Sequence, residues 1–214
     1  MSSALASIDL LMFFQFIGLA AFAVSGALVA GERQMDWFGV VVMGIIVAVG
    51  GGTLRDMMLG ATPVFWITSP WYVAVASVFA LGTIPLMRWG IAVRRPMLIA
   101  DAIGLAVFAV LGTRKALEMG TTGSVAVIMG IVTGIFGGVI RDVLANRTPI
   151  ILRQEVYALA ALVGGLVFVI LHRLDVAPAL ALWGSIGVAL IIRLLALARR
   201  WSIPIFKIEP TEPD

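Results

Sequence analysis

The sequence has no cysteine, one histidine (His172), two tyrosines and few charges, with Asp, Glu, Lys and Arg making up 13% of 214 residues. Each shortage excludes something. Without Cys there is no disulfide framework and no thiolate metal site. One His excludes a multi-histidine metal centre. The charged fraction is about half of the roughly 25% found in soluble domains, too little to clothe a globule in water. What is abundant is apolar: 61% of the residues, with a mean hydropathy of +1.09. Much of a small protein's surface meets solvent, so an aqueous globule cannot hide this much apolar area. The same hydrophobicity excludes a disordered chain.

The apolar residues fall in seven runs, near 9–30, 37–58, 70–88, 97–116, 123–145, 156–172 and 178–198. A helix needs about 20 residues to cross ~30 Å of hydrocarbon, and most runs approach that length. Lipid satisfies no backbone polar group, so each run is expected to be helical. The fold class is therefore an all-α polytopic membrane protein with seven transmembrane helices. The first run lacks the basic n-region of a signal peptide. Residues 201–214, with three prolines and three acids, read as a solvated cytoplasmic tail.

Charge orients the chain. With the N-terminus outside, the inner segments hold Arg33, Arg88, Arg94, Arg95, Arg147, Arg153, Arg199, Arg200 and Lys207, and the outer ones only Arg114, Lys115 and Arg173. Nine against three favours N-terminus out and C-terminus cytoplasmic. The formal net charge of +3 then needs no nucleic-acid partner, because anionic membrane lipid is the natural neighbour of those loops.

The chain also repeats itself at an offset of 86 residues. Residues 17–32 (IGLAAFAVSGALVAGE) align with 103–118 (IGLAVFAVLGTRKALE) at ten of sixteen positions, and 41–63 with 127–149 at ten of twenty-three, without a gap. Such matching marks duplication. Gly18, Gly26, Gly44, Gly51 and Gly52 recur as Gly104, Gly112, Gly130, Gly137 and Gly138, and Arg55-Asp56 as Arg141-Asp142. Each copy holds three runs, so the second enters the membrane upside down. The expected plan is a 3+3 inverted repeat, 8–93 and 94–176, with a seventh helix at 177–200. Inverted repeats are typical of proteins that move solutes, with the site near the midplane. A duplicated scaffold that conducts nothing is the bland alternative.

The second and fifth runs carry the unusual chemistry. Gly50-Gly51-Gly52 interrupts one, and Gly134 with Gly137-Gly138 interrupts the other. Glycine weakens a helix by about 1 kcal/mol relative to Ala. A break at these points is expected to free carbonyls that serve as ligands for K⁺ or Na⁺. Close packing is the competing explanation, because Gly44, Ala48 and Gly52, and Gly130, Gly134 and Gly138, form small-residue stripes. Arg-Asp follows each glycine cluster. Adjacent side chains on a helix diverge by about 100°, so each member is expected to find its partner elsewhere, with Asp101 a candidate and Gln15 its counterpart in the first run. Carboxylates near two mouths would concentrate cations, and the arginines would latch. Structural ion pairs that clamp the bundle are the alternative.

Weaker features complete the reading. Trp37, Trp66, Trp71, Trp89 and Trp201 sit at run ends as interfacial anchors, residues 61–67 form an apolar loop lying on the membrane or covering a mouth, and Arg193 snorkels inward. Neither Ser25 with the distant His172 nor the pair Asp101 and Asp142 makes a convincing enzyme, and no cofactor is expected.

GGGTLRD at 50–56 and GGVIRD at 137–142, each followed by Thr-Pro, with DAIGLAVFAVLG at 101–112, resemble the prokaryotic trimeric intracellular cation (TRIC) channels, whose bacterial members also carry a "glycine transporter" domain label. The resemblance covers roughly residues 8–200. It implies a homotrimer in a prokaryotic inner membrane, with one pore per protomer for K⁺ and less selectively Na⁺, lined by kinked second and fifth helices. The pathway is expected at Gly50, Gly51, Gly52, Thr53, Gly134, Gly137, Gly138, Asp56 and Asp142, with gating or ion-pair roles for Arg55, Arg141 and Asp101. Animal members carry a Lys-Glu-Val motif where this chain reads Val139-Ile140-Arg141-Asp142, which argues against phosphoinositide gating here. A small-solute transporter, for example for glycine, is the rival on the same scaffold.

Overall fold

The computed structural model describes residues 2–88, 92–153 and 156–199; the tail, Trp89 and Trp201 lie outside them. The elements are α1 (Ser2–Glu32), α2 (Trp37–Leu59), the single turn α3 (Phe65–Thr68), α4 (Trp71–Arg88), α5 (Arg94–Glu118), α6 (Gly123–Leu144), a 3-10 turn at Ile150–Leu152, α7 (Val156–Arg173) and α8 (Pro178–Arg199). Among the described residues six helices are long and apolar enough to cross a membrane, and α4 contributes a shorter apolar stretch at Trp71–Met87. The expected all-helical membrane architecture is present, with helix ends within a few residues of the apolar runs except at the start of α1, which begins seven residues earlier.

The chain leaves α2 and α6 by the same turn. Gly60 (φ 68°) and Asn146 (φ 52°) take the left-handed conformation that glycine, and next asparagine, tolerate. The Ala61 N–H donates to the Asp56 carbonyl and the Arg147 N–H to the Asp142 carbonyl, both at 2.8 Å. These bonds satisfy carbonyls that a helix end leaves open and turn the chain back over the helix it has left.

The centre belongs to α5 and α1. Of their apolar windows, 72% and 56% are buried, against 39% for α2 and α8. Phe22 and Phe108 stack at 5.5 Å between α1 and α5, and each lies over the other helix's glycine: Gly18 faces Phe108, and Gly104 faces Phe22. Large apolar side chains such as Phe38, Val78, Ile128, Ile170 and Ile191 are exposed around the outside, as a lipid-facing surface requires.

Both α2 and α6 run through their glycines without leaving the helix. The expected breaks at Gly50–Gly52 and at Gly134–Gly138 do not occur. Two stronger effects outweigh glycine's weak helix propensity. Unpaired backbone groups are very costly away from water, and a missing side chain permits close helix contact. A Cβ on Gly51 would strike the Thr133 carbonyl, and one on Gly137 the Val47 carbonyl. The two helices therefore cross backbone to backbone at these points. The small-residue stripes face elsewhere: Gly44 meets Ala80 and the Ala23 carbonyl, while Gly130 and Gly134 meet Ala109 and its neighbours on α5.

Candidate functional site

Two buried charged centres flank the α2–α6 crossing. In the first, the Arg55 Nε and Nη2 donate to Asp56 Oδ1 at 2.9 and 2.7 Å. Asp56 Oδ2 accepts from the Phe65 N–H at 3.0 Å, so the returning loop is tied to the helix end. The Phe65 ring lies against Gly52 and 5.8 Å from the Arg55 guanidinium. Tyr72 packs edge-on to Phe65, and its hydroxyl donates to Gln15 Oε1 at 2.7 Å.

The second centre repeats this plan with more charge. Arg141 Nε donates to Asp142 Oδ1 at 2.9 Å, and Asp142 Oδ2 accepts from the Ile150 N–H at 2.9 Å. Arg141 Nη1 reaches further, to Asp101 Oδ1 at 2.6 Å and to Ser25 Oγ at 2.7 Å. The Tyr157 hydroxyl donates to Asp101 Oδ1 at 3.2 Å. Arg141 and Asp101 are fully buried. Among the described residues, Asp101 Oδ2 and Arg141 Nη2 find no hydrogen-bond partner, a costly condition for buried atoms of charged groups.

The expectation that Arg55 and Asp56, or Arg141 and Asp142, are too divergent to pair is wrong. Their Cβ vectors do diverge, but an arginine side chain is long enough to fold around the helix onto its neighbour's carboxylate. The loop N–H holds that carboxylate's other oxygen and fixes its position. Arg141 also finds the more distant partner expected for it, Asp101. The carboxylates of Asp56 and Asp142, 2% and 3% exposed, are engaged at both oxygens.

Thr53 Oγ1 donates to the Val49 carbonyl and accepts from Trp66 Nε1 at 2.9 Å, so Trp66 clasps the apolar loop to α2. Gly50 faces Ile140 of α6, and Gly138 faces the Tyr157 hydroxyl and Asp101. Arg193 does not snorkel inward: it is 1% exposed, with its guanidinium 4.7 Å from the Tyr157 ring centroid. Sequence reasoning also missed the two tyrosines. Their signal was available, since they are the chain's only Tyr residues and stand 85 apart, one short of the repeat. Below the second centre, a cavity of about 590 Å³ is lined by Glu32, Arg33, Arg94, Asp142, Arg147 and Arg153 among others. Arg147 pairs there with Glu32 at 2.7 Å.

Comparison with known proteins places this arrangement. The family profile described as "Glycine transporter" matches residues 12–88 and 98–173. A UPF0126 membrane protein of Vibrio cholerae is 44% identical over 92% of this chain and 83% of its own length. The UPF0126 inner membrane protein YadS of Escherichia coli K12 is 42% identical, over 94% of this chain and 98% of its own. The solved TRIC trimeric intracellular cation channel orthologue from Rhodobacter sphaeroides superposes with a TM-score of 0.86 at 39% identity, covering 89% of this chain and 98% of that one. The chain belongs to the prokaryotic TRIC cation-channel family.

Proposed function

We propose that this protein is a K⁺-permeable monovalent cation channel, less selective against Na⁺, with one pore in each protomer of a homotrimer in a prokaryotic inner membrane. The pathway follows the α2–α6 crossing, along Gly50, Gly51, Gly52 and Thr53 on one side and Gly134, Gly137 and Gly138 on the other. The observation that carries the reading is the reciprocal crossing. Gly51 meets Thr133 and Gly137 meets Val47, pairs related by the 86-residue offset, with a buried Arg-Asp pair beyond each. This reciprocity supports a 3+3 inverted repeat around a midplane site, with α8 as the seventh helix outside it. The nine-to-three loop charge orients the N-terminus outward.

The charged ends supply control. Asp56 and Asp142 hold Arg55 and Arg141, so an entering cation competes with a guanidinium for a carboxylate. That competition makes the ion pairs, together with Asp101, the contacts that rearrange as the pathway opens. A pore built this way has no enzymatic role and needs no cofactor.

Purified protein in a planar bilayer under a KCl gradient tests the proposal. Unitary steps that reverse near the K⁺ potential are expected. Absence of current together with saturable uptake of glycine in vesicles would replace the channel by the small-solute transporter.

A further inference from the structure

The two charged centres share a plan but not an inventory. Where the first has the neutral Gln15 beside its tyrosine, the second has the carboxylate of Asp101. The second centre thus carries one more buried negative charge, and Arg141 already answers Asp142. A buried carboxylate without a compensating cation is strongly unfavourable. The second centre also carries one more buried cation, Arg193, which the first lacks. It comes from α8, a helix with no counterpart in the duplication, and it lies over the ring of the tyrosine whose hydroxyl binds Asp101. Tyr157 stands between the two added charges, with its hydroxyl on Asp101 and its ring under Arg193.

We propose that Arg193 is a positioning residue for the second charged centre: its guanidinium offsets the carboxylate that Asp101 adds, and seats Tyr157 against it. The seventh helix thereby holds one end of the pathway and leaves the other untouched. A cation on an aromatic face, away from water, is attracted to the ring as well as to the carboxylate beyond it. Without Arg193, the centre keeps Asp101 and Asp142 against Arg141 alone. With Asp101 neutralised instead, Arg193 loses the carboxylate beyond the ring, and Arg141 keeps Asp142. Removing both charges leaves Arg141 with Asp142, the pairing that Arg55 and Asp56 make in the first centre.

The inference rests on the channel reading for its first readout, and a second readout is independent of it. Arg193→Met, Arg193→Lys, Asp101→Asn and the double variant Asp101→Asn/Arg193→Met are purified, and each is examined in planar bilayers and by thermal unfolding in detergent. Both neutralising single variants are expected to change open probability by roughly tenfold, with unitary conductance unchanged. Arg193→Lys keeps the charge and is expected to stay near wild type. The double variant is expected to recover most of the loss. Unfolding midpoints should follow the same cycle, with the single variants lower by on the order of 10 °C and the double variant recovering at least half of that. A change in unitary conductance in Arg193→Met overturns the positioning role in favour of pore lining. Additive losses in the double variant overturn the charge compensation. If the wild type carries no current, the channel reading fails, and the unfolding cycle alone decides the compensation.

Discussion

The halves around Arg55 and Arg141 are built to one plan and loaded differently. In both, an arginine folds onto the next residue's carboxylate and a loop N–H holds that carboxylate's second oxygen. In both, a tyrosine hydroxyl bonds a residue on a preceding helix, Gln15 of α1 or Asp101 of α5. The first centre stops there and is closed over by Phe65 and Trp66. The second recruits Asp101, Ser25 and Arg193, with Arg141 and Asp101 fully buried. The residues that recur at the 86-residue offset carry the turn and the ion pair in both. The difference between Gln15 and Asp101 adds a buried charge to the second centre alone. The lesson is that symmetry of backbone contacts can survive while the electrostatics of the two ends separate.

The largest expected effect tests the part that is shared. Gly51→Leu drives a side chain into the Thr133 carbonyl, and Gly137→Leu drives one into the Val47 carbonyl. Neither helix can retreat, because Gly44 on α2 and Gly134 on α6 are already against backbone of their other neighbours. Each substitution is expected to cost more than about 3 kcal/mol, seen as loss of monodisperse protein, and to abolish conductance in any protein that folds. Gly82→Ala on α4, where a Cβ would meet nothing within 4 Å, is the control expected to behave as wild type. If one crossing variant is tolerated and the other is not, the reciprocal contact is not what unites the halves.

The next effect separates the halves. Arg141→Met removes a donor from Asp101, Asp142 and Ser25 at once in a buried site, leaving Asp101 with the Tyr157 hydroxyl and Asp142 with the Ile150 N–H, at an expected cost of about 3–5 kcal/mol. Arg55→Met strips only Asp56 Oδ1, while Phe65 N–H continues to hold the other oxygen. Its expected cost is smaller, about 1–3 kcal/mol. Unfolding midpoints of the two variants measure the gap, and equal losses would mean that the extra partners of Arg141 contribute nothing.

Much of this was legible before the structure. Apolar length located the helices because lipid leaves the backbone few alternatives, and the offset of 86 paired the correct glycines. The error at Gly50–Gly52 came from applying propensity without context. A glycine run reads as a weak helix in isolation, but here the opposing carbonyl of Thr133 occupies the space a side chain would need. The error at Arg55-Asp56 came from treating arginine as if its charge sat at Cβ. Arg193 was misread because position near a helix end predicts snorkelling, whereas only the fold reveals Tyr157 within reach. The left-handed residues show the same division. Gly60 advertises its turn, while Asn146, its partner by offset, does so only weakly, and Gln34 (φ 56°) not at all.

The smallest effect concerns how α2 and α6 begin. Position 36 recurs as position 122, and both precede the first helical turn. Asp36 Oδ1 accepts the Gly39 N–H at 2.7 Å, satisfying one of the open donors there. Thr122 has the corresponding backbone conformation, but its hydroxyl makes no cap bond and instead lies 3.2 Å from Ser124 Oγ. A capping side chain contributes about 1 kcal/mol, and a negative one also suits the helix dipole. Asp36→Ala is therefore expected to lower stability by about 1 kcal/mol, and Asp36→Asn, which keeps an acceptor, by less. Thr122→Ala is expected to change it by no more than a few tenths. Hydrogen exchange localises the difference: the first-turn amides of α2 should exchange faster in Asp36→Ala, while those of α6 should be indifferent to Thr122→Ala. Faster exchange in both would mean that the two helix starts, unlike the two charged centres, have kept the same energetics despite a different residue.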